Sequence, residues 1–188
     1  PLSAIYSPKV LAKDCGLTIP IIYNTSGYDS VESLKLLEGL IDIYLPDFKY
    51  YNDKLGKYSN ISNYFETASL ALKEMYRQVG KLRYNKDGIL VKGMIVRHLV
   101  LPNNYDDSKK IIKYLYDYYK DNIIISIMNQ YTIIRKLEYS ELNDKVDEKE
   151  YDEIINYAYD LGVRNAFIQE DSSQSDSFIP SFKGDMII

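Results

Sequence analysis

Residues 40–50 read LIDIYLPDFKY, and this stretch decides the architecture. An apolar run ends abruptly in Pro46, Asp47, Phe48 and Lys49. The run suits a strand covered on both faces, because strands of parallel sheets are near-continuous in apolar residues. Pro46 gives up a backbone donor and marks the end of regular pairing. Alternate residues of an extended segment face the same way, so Asp47 and Lys49 project together and Phe48 faces away. Burying a charge costs several kcal/mol (roughly) before any attraction is counted, so the pair is better explained by a polar ligand than by stability alone. A structural ion pair at the strand end is the plainer alternative.

Four further runs share this character: Ile19–Asn24, Met94–Leu99, Ile123–Met128 and Ala166–Ile168. Helical patterns separate them. Ser7-Pro8 opens a segment over Lys9–Cys15 that stops at Gly16, with Cys15 expected as inert core. Asp29 or Ser30 caps Val31–Leu37. Phe65–Val79 carries Ala68, Leu72, Met75 and Val79 at helical spacing before Gly80. Asp106 or Asp107 starts Ser108–Tyr119, and Glu148–Leu161 ends at Gly162. Leu82–Tyr84 and Ile89–Val91 flank NKDG and form a small hairpin placed ahead of the next main strand. Residues 171–188 read as loop and tail, and the whole of 1–188 as one α/β domain.

Composition fits a globular chain of 188 residues, with 46% hydrophobic and 27% charged residues. A net charge of −4 gives no electrostatic reason to expect nucleic acid. No apolar run reaches the roughly 18 residues of a membrane span. A single cysteine excludes an internal disulfide framework and suits the reducing cytoplasm. Twenty tyrosines beside no tryptophan, with abundant Ile, Lys and Asn, read as coding bias.

Alternating β and α leaves a doubly wound open sheet or a (β/α) barrel. Neither the P-loop nor GxGxxG is present, which weakens nucleotide-binding open sheets. The polar residues are placed in a telling way. NTSGY (24–28), PDFK (46–49), RH (97–98), NQY (129–131) and QED (169–171) each end or follow a strand. Carboxyl-terminal strand ends are where barrels and parallel sheets build sites. Arg97 shares a face with Ile95 and Leu99 and offers a planar fork suited to a carboxylate, whether a ligand's or a neighbour's. His98 points to the opposite face and reads as a hydrogen-bonded packing residue before a catalyst.

The succession IPIIYNTSGYDS, LEGLIDIYLPDFKY, GMIVRHLVLP, ISIMNQYT and FIQED…FIP resembles the radical S-adenosylmethionine enzymes of the pyruvate formate-lyase activating-enzyme-like group. The resemblance runs from about Leu17 to Pro180. It implies the C-terminal portion of a partial (β/α)6 barrel. It also implies S-adenosylmethionine across the strand ends and a [4Fe-4S] cluster on a CxxxCxxC loop. In that family the cluster reduces the cofactor to a 5′-deoxyadenosyl radical that abstracts hydrogen, often from a glycyl-radical enzyme, with a reducing electron donor. Asp47 and Lys49 match the D-x-K block that holds the ribose and methionyl ends. Arg97 matches an arginine of the cofactor pocket, Asn24 and Thr25 a pair near the methionyl carboxylate, and Asn129 and Gln130 a polar contact to the ribose.

The sequence contains no CxxxCxxC, and one cysteine falls short of the three thiolates a cluster needs. The Gly-Gly-Glu segment that cradles the methionine amine is also missing. Asn24 stands where the glycyl-radical activating enzymes carry an acidic residue. The expectation is therefore a fragment that opens at Pro1, holds part of the cofactor pocket, and is inactive alone. An exposed strand edge at Ile19–Asn24 would favour self-association. Two other readings stay open: a metal-free barrel hydrolase or lyase using Asp47, Glu170 and His98, and a non-catalytic binding module. A small-molecule substrate stands beside the glycyl-radical protein as a target.

Overall fold

The structure is a computed structural model, and it describes residues 15–131 and 137–168. Five strands run parallel: β1 (Ile22–Thr25), β2 (Ile43–Pro46), β4 (Leu90–Leu99), β5 (Ile124–Met128) and β6 (Ala166–Ile168). Their spatial order is β1-β2-β4-β5-β6, and the short β3 (Arg83–Tyr84) pairs antiparallel with β4. Each crossover therefore advances one strand in the same direction. A doubly wound sheet would reverse direction partway. Right-handed crossovers that never reverse place all the helices on one face, as in a barrel wall. The ends β1 and β6 do not pair, so the sheet stays open. The fold is α/β with a parallel sheet, as the strand pattern predicts, and an open partial barrel, as the family resemblance implies.

The covering helices are α1 (Val31–Lys35), α2 (Tyr64–Val79), α3 (Tyr105–Tyr119) and α4 (Glu148–Leu161). Alternation along β4 shows which face they cover. Met94, Val96 and His98 are buried, whereas Ile95, Arg97 and Leu99 are half-buried on the concave face. The covered face packs Tyr44, Met94, Val96, Ile125 and Ile127 against Leu72, Met75, Ile111, Ile112, Leu115 and Ile154. Burying such side chains stabilises by about 1.5–3 kcal/mol each, more than any surface pairing here. Five tyrosines belong to the core: Tyr44, Tyr50, Tyr64, Tyr119 and Tyr151 are all buried.

Local chemistry explains most boundaries. Ser30 accepts from the Ser33 N–H to start α1, and Asp147 accepts from the N–H groups of Lys149 and Glu150 to start α4. Gly162 closes α4 at φ 109°, a conformation glycine adopts without steric cost. Four expectations change. The second arm of the hairpin is not a separate strand but the beginning of β4, which runs unbroken through Gly93. At φ 143° Gly93 packs where a Cβ would press on Leu82. Helix α3 starts at Tyr105, ahead of both predicted caps, and Asp107 bonds elsewhere in the chain. A seven-residue 3-10 helix over Asp53–Ser59, absent from the sequence reading, follows β2. Cys15 is exposed in the turn before Gly16, outside the core. The predicted helix over Lys9–Cys15, apart from Cys15, and the tail at 171–188 lie outside the described residues. Among the described residues, no helix is long and apolar enough to cross a membrane.

Candidate functional site at the strand ends

Three predicted residues converge at the carboxyl ends of β1, β2 and β4. Just beyond β2, Asp47 bridges Arg97 of β4 in parallel register. The Arg97 Nη2 lies 2.7 Å from Asp47 Oδ1 and 2.7 Å from Asn24 Oδ1. Parity places all three on the concave face, because Asn24 registers with Leu45, two residues before Asp47. The partner of Asp47 is thus Arg97. The Asp47–Lys49 ion pair considered from sequence does not form, since cross-strand register brings the guanidinium closer than the chain's own lysine.

What is left unpaired matters more. The buried Arg97 Nε has no hydrogen-bond partner among the described residues. Lys49 is half-buried, and its ammonium makes no ion pair among the described residues. Asp47 offsets Arg97, and among the described residues the Arg97 Nε is left as an orphaned donor. Buried donors without partners are rare in native proteins and invite an acceptor. A ligand combining an anionic group with hydroxyls matches this set.

Thr25 lies at the same strand end, at the start of the turn that follows β1. Its hydroxyl donates to Asp29 and accepts from the Gly27 N–H, and Tyr23 donates to the same carboxylate. The residue shapes the turn after β1. Gly27, at φ 77°, lets this turn press against β2, for a Cβ there would overlap the Asp47 carbonyl oxygen. Asn129, half-buried, and Gln130, exposed, follow β5 at the same end of the sheet, and each is engaged in interactions. Glu170 lies outside the described residues.

His98 is buried on the helix side, away from Asp47. Its Nδ1 lies 2.9 Å from the Phe48 carbonyl oxygen and its Nε2 2.9 Å from Ser108 Oγ. The carbonyl can only accept, so Nδ1 carries the proton and Nε2 accepts from Ser108. Burial lowers its pKa to about 4, although the Phe48 carbonyl opposes the shift. This neutral, doubly bonded ring packs and has no acid–base part at the concave face.

Sequence reasoning missed Tyr64 and the role of Asp107. Tyr64 is buried beneath the strand ends and stacks on Tyr28 with ring centroids 6.0 Å apart. Among twenty tyrosines no local signal singles it out. A polar groove of about 450 Å³ opens between Asn52, Asn104, Lys109 and Glu153 at the start of α3. None of the strand-end groups lines it, so the functional argument rests on the convergence of side chains.

With this geometry in place, the comparisons are informative about the fold. No family model matches the chain. A crystal structure of a domain of pyruvate-formate lyase-activating enzyme from Bacteroides vulgatus superposes with a TM-score of 0.57. It covers 90% of this chain and 91% of that domain at 14% identity, a likeness of fold. An uncharacterized protein of Methanocaldococcus jannaschii is 30% identical over 144 residues, covering 74% of this chain. The match spans only 38% of that relative's length. The chain therefore has the fold of an activating-enzyme domain and resembles part of a longer curated protein.

Proposed function

We propose that this chain forms part of the S-adenosylmethionine pocket of a radical S-adenosylmethionine enzyme related to the glycyl-radical activating enzymes. The observation that carries the reading is the concave constellation of Asn24, Asp47 and Arg97, with Lys49 two residues beyond Asp47 and in no ion pair among the described residues. An orphaned Arg97 Nε and a free ammonium suit the carboxylate of the methionyl end, and Asp47 Oδ2 suits ribose hydroxyls. Thr25 and Gly27 hold the β1 turn against this site, and Asn129 and Gln130 extend it toward β5. When bound, S-adenosylmethionine supplies hydrogen abstraction, and the chain's own residues bind and orient it.

The residues do not fit the [4Fe-4S] cluster. One exposed cysteine cannot supply three thiolates, and no cluster of metal-ligating side chains occurs among the described residues. No step through a cluster is derived from this chain. A second reading is a binding module that takes the nucleoside without turning it over. Glycyl-radical proteins or small molecules as targets, a reducing electron donor and a cytoplasmic setting belong to the proposal for the whole protein.

The test uses the complete reading frame, including any residues encoded upstream of Pro1, expressed without oxygen. Iron and sulfide are assayed, then reductant and S-adenosylmethionine are added. Bound cluster with release of 5′-deoxyadenosine supports the enzyme. Binding of S-adenosylmethionine without cleavage supports the module, and a folded protein that binds neither overturns both.

A further inference from the structure

The segment that carries Asp47 and Lys49 is held by three buried side chains from three other elements. Tyr64, at the first turn of α2, accepts from the Lys49 N–H at 2.8 Å. Its hydroxyl hydrogen faces the carbonyl oxygens of Asp47 at 3.2 Å and Ser26 at 3.4 Å. His98 of β4 donates to the Phe48 carbonyl. Asp107 of α3 accepts from the N–H groups of Tyr51 at 2.9 Å and Asn52 at 2.8 Å. The Phe48 N–H donates to the Arg97 carbonyl at 2.8 Å, and the Phe48 ring sits among Tyr64, Phe65 and Tyr114. Backbone groups at residues 47, 48, 49, 51 and 52 are thus each bound by a group far away in sequence.

Few plain strand-to-helix connections need this. Such connections run over the surface with their backbone open to water and vary in conformation. Here the polar holders are themselves fully or nearly buried, with Tyr64 at 0%, His98 at 2% and Asp107 at 8% exposure. Three buried, hydrogen-bonded side chains fix this short segment more tightly than a surface connection, and each would leave unpaired backbone groups if removed. Fixing the segment makes sense where the side chains it carries must meet a ligand in one geometry.

We propose that Tyr64, His98 and Asp107 are positioning residues that fix the backbone of residues 47–52. Lys49, two residues beyond Asp47, then leaves a fixed backbone from which its ammonium can reach the anionic end of the ligand. The inference rests on the S-adenosylmethionine reading above and deepens it. The holders never touch the ligand. They act by removing the conformational freedom that Lys49 would otherwise lose on binding.

The test is a double-mutant cycle on the complete reading frame, with S-adenosylmethionine as the probe and calorimetry as the readout. Tyr64→Phe keeps the ring and its packing while deleting the hydroxyl, and is expected to weaken binding by about ten-fold, the equivalent of one directed hydrogen bond. In a Lys49→Ala background the same change should cost less than about two-fold, because nothing remains to be positioned. A merely structural tyrosine would weaken both backgrounds equally, and that result overturns the proposal. Asp107→Asn, which retains one acceptor for the Tyr51–Asn52 turn, guards against loss of folding in Tyr64→Phe and should show the same dependence on Lys49. If the parent chain binds no S-adenosylmethionine, the pocket reading itself fails and this inference falls with it. If the parent binds but the cycle shows no coupling, the pocket stands and the positioning role alone is rejected.

Discussion

A Cβ on Gly27 would overlap the carbonyl oxygen of Asp47, so the turn after β1 and the end of β2 touch backbone to backbone. Gly27 also sits at φ 77°, where a side chain is strained whatever the space around it. Two independent penalties meet at one residue. Gly27→Ala should lower unfolding free energy by about 2–4 kcal/mol, from left-handed backbone strain plus displacement of the β2 end. Urea denaturation measures it, and a change below half a kilocalorie (roughly) would show that the two strand ends separate freely.

Arg97→Ala removes the only described partner of the Asp47 carboxylate and one partner of Asn24. The pair is about a quarter exposed on each side, so its effect on stability is modest, about 1–2 kcal/mol. Its effect on S-adenosylmethionine binding should be larger, a loss of ten-fold or more (roughly) through the missing fork. Arg97→Lys should recover the stability but not the affinity. Calorimetry beside thermal denaturation separates the two.

The buried imidazole sets a pH dependence of known sign. His98 has a pKa lowered to about 4 in the fold against 6.5 ordinarily. The unfolded chain therefore binds the proton more readily, and stability falls as pH falls. The contribution is whole above pH 6.5 and is lost on descending toward pH 4. Over this window it amounts to about 2–3 kcal/mol. The carboxylates of Glu74 and Glu141, both held near pKa 2 chiefly by hydrogen bonds, weaken the fold only at lower pH. Urea midpoints at pH 7.5 and 4.5 should differ in the parent and converge in His98→Gln.

Among the described residues, no strand pairs with the outer edge of β1, and Ile19 and Ile22 beside it are 67% and 54% exposed. An apolar, unpaired edge is a template for another strand. Sedimentation of the 188-residue chain should show association that rises with concentration. Ile22→Lys should suppress it, and a monomer at every concentration would show that this edge does not template pairing between copies.

The strand pattern was legible because burial on both faces leaves continuous Val, Ile and Leu, a signal that needs no neighbour to interpret. Alternation gave the opposite facing of Phe48 and Asp47, and parity gave the separation of Arg97 from His98. Both follow from the two-residue period of a strand. Helix α4 was read to the residue because its cap, its apolar face and Gly162 agree. Asp107 misled for a physical reason: an aspartate before a helical run looks the same whether it caps its own helix or binds a loop 56 residues away. The bond from the Thr25 hydroxyl to Asp29, four residues on, was equally unmarked in the sequence.

By itself the sequence determined which segments are strands and helices, which strand-end residues are polar, and that too few cysteines are present for a cluster. These are properties of composition and of periods along the chain. Only the tertiary structure decided that Asp47 pairs with Arg97 and not with Lys49. It alone left Lys49 without an ion pair and the Arg97 Nε orphaned among the described residues, and it alone brought Tyr64, His98 and Asp107 onto one loop. Each of these depends on register between strands and on contacts made across tens of residues. Register and such contacts are settled by the packing of whole elements against one another, and no local pattern encodes them.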